Sequence, residues 1–266
     1  MSHAARALFV VWAAANPAPQ QTASSPAAAD AEDQDVADLT PNRGAAASPI
    51  ELVPRLEIRQ SYARVGSQLS LHDTTAEIDI QFLDRVLLRY EGTLRVAAAP
   101  SGQTSGFGDL RLQAIGIVAS APRYIAGVIL GAVLDTASQP ALGAGKQQVF
   151  FGAGGTFKPL RWWLPYLLVQ DQLSVGGDDK RPDVHQLAVD AGNLVFGKGQ
   201  TWYKLDLVTV ADFTVEAGRF FGTVEVGRLL LRKTGLFIRS STQLAGPRQL
   251  EWALEVGVRY LFRLNE

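Results

Sequence analysis

Cysteine is absent from the 266-residue chain, and histidine occurs only three times. The lack of cysteine excludes a disulfide framework, a thiolate zinc site and a cysteine nucleophile. Neither sign of charge is in excess, because the chain has 25 Lys and Arg residues and 26 Asp and Glu residues. A nucleic-acid binder usually carries a basic stripe. We therefore expect no metal site, no cofactor and no nucleic-acid partner.

Long apolar runs are missing as well. A membrane-spanning helix needs roughly 18–20 consecutive apolar residues, and the longest run here, Tyr124–Leu134, is much shorter. This excludes a helical membrane protein but not a membrane barrel, because barrels cross the bilayer with short strands.

The N-terminal region is typical of a targeting segment followed by a spacer. Ala7–Ala15 is a short apolar run after Arg6 that ends in small residues, which predicts a secretory signal peptide over 1–15. A frayed N-terminal helix is the alternative. Residues 16–49 are rich in Ala and Pro and carry an acidic cluster, which predicts a disordered linker. The ordered domain is expected over 50–266.

From residue 50 onward the hydrophobic period is two. Between Leu250 and Phe262 every second residue is apolar, and such alternation indicates a strand with one apolar and one polar face. The pattern recurs along the chain and predicts an all-β fold of about twelve strands. We expect them near 50–62, 74–82, 85–97, 108–119, 123–134, 147–158, 162–174, 184–196, 200–211, 214–230, 235–243 and 249–262, the layout of 211–230 being the least defined.

Several features indicate that the apolar face contacts lipid. Many of the predicted strands exceed the usual 5–6 residues and reach the roughly 9–11 that span a bilayer. Tight turns alternate with longer connections, predicted at Ala63–Asp73, Ala98–Phe107, Asp135–Lys146 and Val175–Asp183. That alternation is typical of antiparallel up-and-down transmembrane β-barrels. Aromatic residues near the predicted strand ends, Trp202 among them, would suit interfacial girdles. A soluble β protein is the alternative.

Two glycine-rich motifs lie in the middle of the chain. They are Gly106-Phe107-Gly108-Asp109-Leu110 and Leu142-Gly143-Ala144-Gly145-Lys146, followed by Gly152-Ala153-Gly154-Gly155. This layout resembles the outer-membrane β-barrel family named for the meta-cleavage pathway of phenol degradation, over roughly residues 100–262. The resemblance implies a transporter or porin-like barrel in the outer membrane of a Gram-negative bacterium, with no catalytic residues. From the residues alone, the glycines are expected in turns and at close strand contacts.

The polar faces of the predicted strands supply the candidate site, the lumen of the barrel. The lumen-facing candidates are Arg55, Glu57, Arg59, Glu77, Asp79, Arg89, Glu91, Arg95, Arg111, Lys204, Asp206, Arg239, Glu251, Glu255 and Arg259. Charges of both signs are interspersed. They either line a pore that binds or filters a solute, or form cross-strand ion pairs that fill the barrel.

These expectations combine into a monomeric outer-membrane barrel, surrounded by lipid, that passes or binds a small-molecule solute. A non-conducting structural barrel and a lipid-modifying enzyme are the alternatives. Such an enzyme needs a serine beside a histidine and an orienting partner. The histidines of the mature chain, His72 and His185, lie on or beside predicted outer loops without such a partner in sequence. We therefore expect no catalytic residues.

Overall fold

A computed structural model of the protein describes residues 52–65, 69–100, 102–247 and 250–262. The predicted signal peptide, over 1–15, and the predicted linker, over 16–49, lie outside the described residues. The strands are β1 (Arg55–Val65), β2 (Leu69–Leu83), β3 (Val86–Ala99), β4 (Gly102–Phe107), β5 (Leu110–Ala121), β6 (Tyr124–Leu134), β7 (Lys146–Phe157), β8 (Trp163–Gly177), β9 (His185–Phe196), β10 (Thr201–Asp212), β11 (Ala217–Leu231), β12 (Thr234–Ala245) and β13 (Leu250–Leu261).

The strands form one antiparallel sheet that closes on itself. β1 pairs with β2 on one side and with β13 on the other, from Arg55 opposite Leu261 to Val65 opposite Leu250. β3 pairs with both β4 and β5, which only Gly108 and Asp109 separate, so these two make one interrupted strand. The wall therefore has twelve strands in sequence order. The prediction of an all-β, up-and-down barrel of about twelve strands is confirmed.

The two faces of the wall differ in the way that a bilayer requires. On β13, the side chains of Trp252, Leu254 and Val256 are 42–50% exposed. Glu255, between two of them, is buried inside the barrel. A soluble barrel would show the reverse, with apolar groups inside and charges in water. An apolar exterior around a charged interior identifies a membrane-spanning barrel, and it excludes the soluble alternative.

Two of the predicted long connections are wrong. β1 and β2 continue to Val65 and from Leu69, and Ala98–Phe107 lies almost entirely in the β3–β4 hairpin. Near this end of the barrel the inward face changes from charged to apolar, with Ala63, Val65, Leu69 and Leu71 buried. The sequence pattern does not reveal the strands here, because a membrane-spanning strand is expected to carry its apolar residues on the outward face.

The remaining connections follow the prediction more closely. The long ones cover 135–145 and 178–184, and a four-residue turn at 213–216 resolves the layout before β11. At the opposite end the strands are joined by short turns and by a one-turn 3-10 helix, Lys198–Gln200. No helix among the residues that the structure describes is long and apolar enough to cross a membrane. We refer below to the long-loop end and the short-turn end.

Candidate functional site

Fourteen of the fifteen lumen candidates are buried, each on the inward face of its strand. Glu251 is the exception. It lies near the long-loop end, is partly exposed, and its carboxylate is 3.2 Å from Arg64 Nε. The buried charged groups do not stand alone, because most of them meet across neighbouring strands.

Arg59 is the most connected of these groups. Its guanidinium is 2.7 Å from Glu91, 3.0 Å from Glu77, 3.1 Å from Glu57 and 3.4 Å from Glu255. These four carboxylates come from β1, β2, β3 and β13. A planar guanidinium with five N–H donors suits such multiple contacts, so this one side chain joins four strands.

Further arginines extend the network in both directions. Arg239 Nη1 and Nη2 lie 2.8 and 2.6 Å from Glu255 and Glu225, and Arg89 grips Asp79 through two bonds of 2.6 Å. We call this assembly, on β1–β3 and β11–β13, the ionic half of the lumen. It consists of Arg55, Arg59, Arg89, Arg239 and Arg259 with Glu57, Glu77, Asp79, Glu91, Glu225 and Glu255.

Glu225 belongs to the ionic half and Trp202 contacts it from β10, and neither residue was expected in the lumen. The placement of Trp202 at a membrane interface is wrong, because the residue is buried inside the barrel and its Nε1 donates to Glu225 Oε1 at 2.7 Å. Gly227 is its register partner on β11, and any Cβ at that position would collide with the indole ring. The small residue on the neighbouring strand makes room for the large one.

The inward face of β7–β10 has a different chemistry, and we call it the amide half. Gln172 Nε2 donates to Gln148 Oε1 at 2.5 Å, and Gln186 Nε2 donates to Asp212 Oδ2 at 2.9 Å. Farther in, the Tyr166 hydroxyl donates to Asp206 Oδ1, and Lys204 Nζ lies 3.0 Å from Asp206 Oδ2. Amide side chains therefore take part in the contacts of this half, and its buried charged groups are fewer than those of the ionic half.

At the long-loop end the connection 135–145 folds into the mouth of the barrel. Leu142 is fully buried and packs within a collar of inward apolar residues. The collar consists of Ala63, Val65, Leu69, Leu71, Ala97, Val208, Val210, Phe221, Leu250 and Ala253. Because these residues come from β1, β2, β3, β10, β11 and β13, Leu142 closes the mouth rather than covering one side of it.

The two glycine-rich motifs meet where this loop is held. The Asp109 carboxylate accepts hydrogen bonds from the backbone N–H groups of Ala137, at 3.2 Å, and Ala144, at 2.6 Å. A Cβ at Gly143 would collide with that carboxylate. Arg95 Nη1 donates to the Leu142 carbonyl at 3.4 Å. We call the Asp109 contacts the latch of the loop.

The short-turn end is also narrowed. Leu52, just before β1, is buried against inward residues that include Leu87 and Ile115. The N–H of Phe262 donates to the Pro54 carbonyl at 2.9 Å, which ties this segment to the end of β13. The polar middle of the lumen therefore lies between two apolar constrictions.

The two histidines of the barrel contact aromatic side chains. His72 packs edge-on against Tyr62, and His185 lies against Phe213 with its Nε2 3.5 Å from an Asp171 oxygen. Within the described residues, no hydrogen bond joins either imidazole to a serine hydroxyl, which acyl transfer by a serine nucleophile requires.

Comparison with known proteins identifies the fold of the chain but shows no family for it. The chain matches no family model and no curated relative. The crystal structure of an outer membrane channel from Pseudomonas putida F1 is similar with a TM-score of 0.63 and 15% identity, over 80% of this chain and 97% of that one. The NanC porin matches with a TM-score of 0.60 and 7% identity, over 77% and 98% of the two chains.

The KdgM porin matches with a TM-score of 0.56 and 8% identity, over 79% of this chain and 99% of that one. KdgM has also been solved in complex with disordered oligogalacturonate. At these identities the likeness concerns the fold. This chain shares the closed antiparallel barrel of bacterial outer-membrane channels and porins.

Proposed function

We propose that the protein is a porin-like barrel of the bacterial outer membrane that carries a small polar solute across it. The observation that supports this most directly is the lumen, whose polar middle is closed at the long-loop end by a loop and not by the wall. A hydrogen-bonded loop can move without breaking the sheet, so the closed mouth is compatible with passage. The outward apolar face supplies the contact with membrane lipid.

The two halves of the lumen suit different parts of this role. In the ionic half the carboxylates are held by arginines, so this side acts as a rigid support. The amide half offers donors and acceptors that a hydroxyl-bearing solute can exchange with at little energetic loss. That a similar porin, KdgM, has been solved with an oligosaccharide is in keeping with a polar solute here.

We also propose that the chain belongs to the meta-cleavage-pathway family that its glycine-rich motifs resemble. The motifs that resemble the meta-cleavage-pathway family are the ones that form the latch, so they have a mechanical role that a relative would share. We further propose that the barrel works as a monomer, since each chain closes its own wall and leaves no edge to pair with another copy.

Single-channel conductance in planar bilayers tests the proposal. We expect brief, small openings from the wild-type barrel, and an open probability about tenfold higher for Asp109→Ala, because one carboxylate bonded to two amides contributes about 1.4 kcal/mol or more to the closed loop. Asp84→Ala, in an exposed turn at the short-turn end, is the matched control and should resemble wild type.

Heat-modifiable migration on a denaturing gel establishes that each variant is folded. If the folded wild-type and Asp109→Ala barrels both insert and neither conducts, the solute-passing role is refuted and a non-conducting structural barrel is the better description.

A further inference from the structure

One inward carboxylate differs from all the others. Nine carboxylate side chains are buried among the described residues, and eight of them have an arginine or lysine nitrogen within 4 Å. The ninth is Asp190, on β9. It is 5% exposed, and neither of its oxygens has a hydrogen-bond partner.

The neighbours of Asp190 explain why it is unpaired. Its register partners on β8 and β10 are Leu168 and Val208, and the next inward residues of its own strand are Ala188 and Gly192. Side chains directly across a sheet are the ones that interact most closely. All four of these positions lack a polar side chain, so no donor stands directly beside or across from Asp190.

The tyrosine and the lysine on the same wall are already engaged. The Tyr166 hydroxyl donates to Asp206, and the Lys204 ammonium lies 3.0 Å from the other oxygen of Asp206. Gly192 leaves the space for this arrangement, because a Cβ there would collide with the Tyr166 ring and hydroxyl. The Lys204 ammonium also attracts the Asp190 carboxylate, but from beyond 4 Å, so Asp190 has no direct partner in the amide half.

A buried ion without a partner is unfavourable by several kcal/mol. A leucine or valine, like its neighbours, would pack at this point of the wall without that penalty. Ionisable residues at membrane depth mark solute and ion pathways when they face a water-filled interior. A direct partner for the Asp190 carboxylate is therefore expected to come from the contents of the lumen.

We propose that Asp190 is a cation-binding position on the solute path and that the barrel prefers solutes carrying a positive charge, an alkali cation or a primary ammonium. This rests on the proposed function and names its substrate class. Asp190 lies in the middle of β9, between the mouth that Leu142 closes and the short-turn end. A solute passing along the amide half meets this carboxylate after the neutral amides of Gln172 and Gln148.

The test is the reversal potential across a tenfold KCl gradient, measured on the full chain in planar bilayers with wild type and with Asp109→Ala. We expect cation selectivity in both. Asp190→Asn should lower the ratio of K⁺ to Cl⁻ permeability about threefold or more, since a single fixed charge in a narrow pore changes the local cation concentration by that order. Asp190→Glu should keep most of the selectivity.

Asp178→Asn removes the same charge from an exposed outer loop and is the matched control. Conducting barrels that are anion-selective, or an Asp190→Asn variant as selective as wild type, would overturn the inference and leave the proposed function intact. A complete lack of conductance would instead refute the proposed function.

A second readout requires no conductance. Ethanolammonium chloride should raise the temperature of heat modification of the wild-type barrel more than that of Asp190→Asn, with the same concentration of choline chloride as reference. Choline carries the charge but has no N–H donors for the carboxylate. Equal increases of this temperature in wild type and Asp190→Asn would overturn the cation site, even if the barrel does not conduct.

Discussion

The ionic half and the amide half of the lumen share one barrel but use polar groups differently. In the ionic half each carboxylate contacts at least one arginine, and Arg59 alone contacts four. In the amide half two neutral amides, Gln172 and Gln148, bond to each other. Buried charge is therefore not in itself a sign of transport. Compensated charges hold the wall in place, and groups with unused bonding capacity are available to a solute.

The largest expected effect comes from breaking the centre of the ionic half. Arg59→Ala leaves Glu57, Glu77, Glu91 and Glu255 with fewer counter-charges in a buried site, and we expect a loss of about 3–5 kcal/mol in the free energy of unfolding. The measurement is the urea unfolding midpoint in lipid vesicles, followed by heat-modifiable migration.

Gln172→Ala is the matched change in the amide half. It removes one neutral hydrogen bond, so we expect a loss of about 1 kcal/mol. Equal losses for the two variants would contradict the distinction between a supporting half and an adaptable half.

A smaller effect is expected from displacing Trp202 while keeping every charge. Gly227→Ala places a methyl group where the indole lies, which should weaken the Trp202–Glu225 hydrogen bond and destabilise the barrel by about 1–3 kcal/mol. Tryptophan fluorescence, with its emission shifted toward longer wavelength, reports the displacement.

Gly92→Ala provides the comparison, because a Cβ on Gly92 meets no atom within 4 Å. We expect its unfolding free energy to lie within about 0.5 kcal/mol of wild type. Similar destabilisation by both alanines would show that chain flexibility, and not the space around Trp202, decides the outcome.

The smallest effect concerns an ion pair above the amide half that joins the buried Lys146 to the exposed Asp183. Lys146 Nζ lies 2.9 Å from Asp183 in the connection 178–184, and hydrogen bonding to this ammonium lowers the pKa of Asp183. The interaction is therefore complete above the ordinary Asp pKa of about 3.9. It is lost as the pH falls through the lowered value in the folded barrel.

Hydrogen exchange checks this at the amide of Val184, which donates to Ser174 Oγ at 3.1 Å beside the pair. After correction for intrinsic rates, protection should fall only below about pH 4. Asp183→Asn should show reduced protection already at pH 6, while the turn at 213–216 should behave as in wild type. Unchanged protection in the variant would mean that the ion pair does not order the loop.

Much of the wall could be predicted from the sequence, because alternation of apolar and polar residues is a local property. Each of the twelve expected segments overlaps a strand of the barrel. The loop in the mouth could not be predicted in this way, since the burial of Leu142 depends on six strands that are distant in sequence. Asp190 could not be predicted as a lumen residue because both faces of β9 carry apolar residues near it, Leu187 and Val189 on one face and Ala188 on the other. The sequence therefore does not show which face of this strand points inward.

The ion pair between Glu57 and Arg259, with Nε and Oε2 2.6 Å apart, joins residues separated by 202 positions. It crosses the seam between the first and the last strand, where the ring of hydrogen bonds is completed. Synthesis must therefore be almost finished before β1 and β13 can pair. A prematurely terminated chain would leave the edge of β1 without its partner strand, and unpaired backbone groups cannot be accommodated in lipid.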